Sequence, residues 1–143
     1  VGYEKNYEAA YRFSKMLYTA YPRNNEYLAM HVKNLLLLKR YDEAEEWLSK
    51  ASQPESHWFD VEKRVLQAIL QEKKYKNSET AGLLYQSAIQ KAGVFGEYAN
   101  EYLSFCYFGL SRIAAAKGDS GLSRDYLKKA VNLATYKHLD FRD

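Results

Sequence analysis

Tyr7, Tyr41 and Tyr75 stand 34 residues apart each time, and the segments after the first two open alike, as Tyr7-Glu8-Ala9-Ala10 and Tyr41-Asp42-Glu43-Ala44. A fixed period of this length on a helical background means one supersecondary unit used repeatedly. Such a unit cannot bury its apolar face alone, so its neighbours must stack against it. The background is helical throughout: apolar residues recur at spacings of three and four, and strand-like alternation bounded by turn residues is absent. Only two prolines and seven glycines interrupt the 143 residues, so long elements are expected.

The pattern predicts about seven helices. The first runs from about Tyr3 to Ala20, with Tyr7, Ala10, Tyr11, Phe13, Leu17 and Tyr18 on its apolar side, and ends before Pro22. Asn24 or Asn25 caps a second that reaches about Lys39 and carries Leu28, Val32, Leu35 and Leu36. The third spans about Asp42 to Ala51 and stops at Gln53-Pro54-Glu55-Ser56; the fourth spans about His57 to Lys74. Asn77 or Ser78 caps the fifth, which carries Ala81, Leu84, Tyr85, Ala88 and Ile89. Gly93 and Gly96 bracket a turn before a sixth helix from about Glu97 to Lys117. Gly118 suits a left-handed C-terminus. Asp119 caps the seventh, with Leu122, Tyr126, Leu127, Ala130, Val131 and Leu133 expected inward. Tyr136 to Asp143 carry no clear pattern.

With these units on the page, the chain resembles the tetratricopeptide repeat family, whose 34-residue unit folds as a helix-turn-helix. The resemblance is carried best by Leu28 to Ala51, where Lys39-Arg40-Tyr41-Asp42-Glu43-Ala44 and Leu48-Ser49-Lys50-Ala51 match the family's turn and second helix. Tyr107 to Ala130 follows, with Leu110, Ser111, Gly118, Asp119, Ser123, Leu127 and Ala130 at matching positions. Pro22 sits where the family places its closing proline. The departures are His31-Val32 in place of a large-then-small pair, about three extra residues before Ala81, a lengthened first helix in the fourth unit, and a missing leading helix in the first. The resemblance implies one all-α domain over residues 1–143, a right-handed superhelical stack of antiparallel helix hairpins. Ala10, Ala44, Ala81, Ala88 and Ala130 would let the helices approach closely, and Tyr, Trp and Leu would fill the gaps.

The charge is +3, from 21 basic and 18 acidic residues well mixed along the chain, without the basic stripe a nucleic-acid binder gathers. No apolar run nears the roughly 18 residues that span a bilayer; the longest aliphatic run is Leu35 to Leu38. Catalytic and metal-binding constellations are not expected. His31, His57 and His138 lie far apart, and Gly93-Val94-Phe95-Gly96 has neither the spacing nor the following Lys of a phosphate loop. His31 falls on a packing position. Cys106 lies in a segment apolar on nearly every side, which predicts a buried, inert thiol, and as the only cysteine it leaves the redox compartment open. Most of the fourteen tyrosines are assigned to packing, and a minority to a binding surface.

Solenoids of this family bind along a concave face lined by the first helix of each pair. Carrying that register over implies a groove near Met30, Lys33, Arg64, Gln67, Phe105, Phe108 and Arg112, suited to an extended peptide or an acidic tail. The family's carboxylate-clamp residues are not reproduced, so chaperone-tail binding is not implied. The expected function is a non-catalytic scaffold module that binds a protein or peptide, without cofactor, and with self-association through the terminal helices as a further expectation. A rival expectation is an accessory or regulatory region of a larger enzyme or sensor, motivated by a chain that starts at Val1 and opens on a half-repeat. A small-molecule pocket between aromatic helices is the third.

Overall fold

The computed structural model describes residues 2–134 and Phe141, with side chains from Asn6 onward. The described part is all-helical: α1 Gly2–Ala20, α2 Asn25–Leu37, α3 Tyr41–Leu48, α4 His57–Lys73, α5 Ser78–Ala92, a 3-10 segment Gly93–Ala99, α6 Asn100–Ala116 and α7 Ser120–Leu133. His138 and most of the stretch from Tyr136 lie outside the described residues.

Local chemistry sets the boundaries. Asn24, Asn77 and Asp119 each accept a hydrogen bond from the backbone N–H three residues on, at 3.0, 3.1 and 3.0 Å. Ser56 does the same for Phe59 N–H at 3.0 Å. Each cap satisfies a donor the helix itself leaves open and contributes about 1 kcal/mol. Gly118 turns the chain out of α6 at φ 84°, a region that favours glycine, and Lys39 and Lys76 enter the left-handed region after α2 and α4 at φ 62° and 55°. Two expected boundaries move. α3 stops at Leu48 rather than Ala51, and α6 begins at Asn100 rather than Glu97 because residues 93–99 wind into a tighter segment broken at Gly96.

Packing follows the order of the chain. α2 lies against α1, α3 and α4; α4 against α2, α5 and α6; α6 against α4, α5 and α7. The interior is filled by Leu28, Leu35 and Leu36 of α2, Phe59, Leu66 and Ile69 of α4, Tyr85 of α5, and Phe105 and Cys106 of α6. Ala44, Ala81, Ala88 and Ala130 are fully buried, so small side chains do sit where helices meet. The Tyr85 ring lies directly against Gly109. A methyl group there would collide with it, so no other residue fits while Tyr85 keeps its place.

Two apolar faces differ from the pattern. On α1, Phe13 is 57% exposed and Ser14 takes the inward position. On α7, Leu122, Leu127 and Val131 are exposed, and only Ala130 is fully buried. Hydrogen bonding explains the rotation of α7. Ser111 donates to the Ser123 carbonyl at 2.8 Å, Ser123 returns a bond to the Ser111 carbonyl at 2.9 Å, and Ser104 donates to the Ala130 carbonyl at 3.2 Å. Small residues thus bring the two backbones together, and the larger side chains of α7 are turned aside.

Candidate binding groove

The residues of the expected surface do not all lie on one open face. Phe105 and Phe108 are 3% and 4% exposed, so they are interior residues and not groove anchors. α6 is apolar on nearly every side because neighbours enclose it, and periodicity alone cannot tell which side is open. The basic residues are engaged by acids. Lys33 meets Glu101 at 2.8 Å across α2 and α6. Arg64 meets Asp60 at 3.1 Å and Ser87 Oγ at 3.2 Å. Arg112 grips Glu72 with two bonds, at 2.7 and 2.9 Å. Met30 is half-buried on α2. Gln67 lines an open groove.

That groove, of about 410 Å³, runs between α3, the 49–56 loop and α4, with Leu84 of α5 at its side. Its position depends on the loop, and the loop is tied down by one side chain. The Asn25 amide donates to the Ser52 carbonyl and accepts from the Ser52 N–H, both at 2.9 Å, as a neighbouring strand would. Ala51 and Leu84, both half-buried, give the groove its accessible apolar lining, above the buried Leu48 and Leu70. Gln67 and Gln71, one turn apart on α4, offer amides that bond to no other described side chain. Two carboxylates stand in fixed positions beside them. Glu55 is bound by Lys63 at 2.6 Å and by the Gln53 amide at 2.8 Å, and these two bonds, Lys63 first, hold it below the usual carboxylate range. Glu45 is bound by Lys74 at 2.6 Å and by the Tyr75 hydroxyl at 2.7 Å, with the same effect. An apolar lining flanked by unengaged amides matches an extended polypeptide, which presents alternate side chains and a backbone needing hydrogen-bond partners.

No family model, curated protein or solved structure matches the chain.

The remaining polar groups are interior. Glu72 lies between Arg112 and the Tyr85 hydroxyl, the latter donating at 2.7 Å. Burial opposes its charge, but the bonds from Arg112 and Tyr85 and the Arg112 charge outweigh burial and hold it ionised. His31 is fully buried, stacked on Tyr11 and edge-on to Trp47. Its Nδ1 pairs with Ser14 Oγ at 2.9 Å and its Nε2 has no partner. Burial, then Lys15 and Arg40, lower its pKa to about 4, so the ring is neutral. Glu62 accepts from the Tyr102 hydroxyl at 2.8 Å through one oxygen, while the other is unpartnered. Burial raises its pKa to about 7 against the Tyr102 bond. Burial also pushes the Cys106 thiol up, away from the thiolate that reactivity requires. Among the described residues, no three His, Cys, Asp or Glu side chains are placed to hold a metal ion, and no helix is long and apolar enough to cross a membrane.

Proposed function

We propose that this chain is a non-catalytic interaction module that holds an extended segment of a partner protein in the groove between α3 and α4. The observation that carries this reading is the pair of unengaged amides, Gln67 and Gln71, set beside an apolar lining on rigid elements. Binding would come from complementarity alone: backbone groups of the partner bond to the amides while its apolar side chains cover Ala51 and Leu84. The architecture proposed around it is a tetratricopeptide-like stack in which hairpins α2–α3, α4–α5 and α6–α7 follow one another. Its support is α4 packing on both α2 and α6, and alanines buried where helices meet.

Selection of peptides from a random displayed library tests the reading. The selected peptide should lose about tenfold in affinity when Gln67 and Gln71 are both replaced by alanine, two hydrogen bonds at roughly 0.5–1.5 kcal/mol each. Equal affinity for the double variant, or a library that yields no binder, refutes it.

A second reading, an accessory region of a larger enzyme or sensor, draws on the outward apolar faces of α1 and α7. Phe13 and Met16 on α1, and Leu122 and Leu127 on α7, are surfaces on which a further helix, or a second copy, would stack. Monodisperse monomer in sedimentation at high concentration would count against self-association through these faces.

A further inference from the structure

Trp58, at the start of α4, is met by aromatic side chains from the segment that leads into α6 and from the first turn of α6 itself. Its ring lies 4.6 Å from Tyr98, 5.0 Å from Phe95 and 5.7 Å from Tyr102. Tyr98 is 67% exposed although it is packed on Trp58, so an aromatic shelf stands open to solvent. One helical turn after Trp58, on the same side of α4, is Glu62. Glu62 is 5% exposed, with one oxygen closed off and without a partner, and it marks the inner end of an acidic cluster. Three charged groups face it from the neighbouring helices: Glu26 and Lys33 on α2 and Glu101 on α6, with the Tyr102 hydroxyl bonded to it directly. Lys33 is taken up by Oε1 of Glu101, which leaves the acids in excess around the shelf. Glu97 adds another beside Tyr98 in the chain. The shelf lies on the opposite side of α4 from the groove and is independent of it.

An exposed aromatic face where acids outnumber bases attracts a cation, and a planar guanidinium meets both needs at once, stacking on the rings while its edge bonds to an exposed carboxylate. We propose that the Trp58–Tyr98 shelf, with the exposed Glu97 and the second oxygen of Glu101 near it, receives an arginine side chain from a partner polypeptide. The charge on this surface is complementary to a basic segment and repels an acidic one.

The probe is the peptide acetyl-Gly-Arg-Gly-Arg-Gly-amide, compared with its citrulline counterpart, which has nearly the same shape without the charge. The indole N–H of Trp58 is followed by NMR, with Trp47 as the internal reference. The arginine peptide should shift Trp58 saturably and leave Trp47 unmoved. The citrulline peptide should bind about tenfold more weakly. Tyr98→Ala, at an exposed position, and Glu101→Gln should each weaken binding of the arginine peptide. No saturable shift, equal binding of the citrulline peptide, affinity unchanged in Tyr98→Ala, or an equal response to choline would each overturn the assignment. The last would indicate a small quaternary amine in place of a polypeptide.

Discussion

Glu62→Gln should make the protein more stable at pH 8 and expose a pH dependence that the native chain conceals. The native fold holds a proton on Glu62 up to about pH 7, whereas the ordinary value is 4.5. At 1.36 kcal/mol for each pH unit, this difference corresponds to about 3 kcal/mol. The folded state binds more protons than the unfolded chain between these values, so the contribution is full below pH 4.5 and is lost as pH rises through 7. His31 behaves oppositely. Its folded value is about 4 against an ordinary 6.5, so its contribution is full above pH 6.5 and is lost as pH falls through 4. Between pH 4.5 and 6.5 the two slopes have opposite signs and similar size, and the native protein should show nearly level stability there. Glutamine keeps an acceptor for the Tyr102 hydroxyl and carries no charge to bury. The variant should therefore gain on the order of 1–3 kcal/mol at pH 8, and its stability should climb from pH 4.5 to 6.5 under the His31 slope alone. Urea unfolding midpoints across pH 4–8 read both effects. A variant less stable than the native chain at pH 8, or one with an unchanged pH profile, would refute the burial argument for Glu62.

Gly109→Ala should destabilise by about 1–3 kcal/mol or more through collision with the fully buried Tyr85 ring, read as a lowered melting temperature. Arg112→Ala should cost about 3–5 kcal/mol, because it leaves Glu72 charged and buried without its partner; a near-neutral result in chemical denaturation would mean the pair is solvated. Ala44→Leu, at a fully buried site in α3, should cost on the order of 1–3 kcal/mol through overpacking, and a neutral result would mean α3 does not press on its neighbours there.

The helices were legible because their signals are local. Pro22, Asn24, Asn77, Gly118 and Asp119 act within a turn of where they stand, and each marks a boundary in the structure. Which side of a helix turns inward was less legible. Leu122, Leu127 and Val131 read as a core stripe, yet paired serine bonds between α6 and α7 rotate them outward. Phe105 and Phe108 read as anchors on a groove that α6, enclosed by its neighbours, does not provide. The ion pairs of the basic candidates were not legible either: Lys33 meets its acid 68 residues away and Arg112 meets its acid 40 residues away, separations that no period reveals. The groove itself rests on Asn25 bonding to Ser52, a contact across 27 residues with no signature in the sequence beyond a helix start. Gln67 was in view; Gln71 was not, and the break at Gln53-Pro54-Glu55-Ser56 was legible only as a helix end.

The most direct test of the binding account is a map of backbone amide shifts on titration with a library-selected peptide. The account predicts that the perturbed amides gather around Ser49, Gln53, Gln67 and Gln71 while α1 and α7 stay quiet. Perturbations centred on the outward faces of α1 or α7, or scattered evenly over the surface, would contradict it.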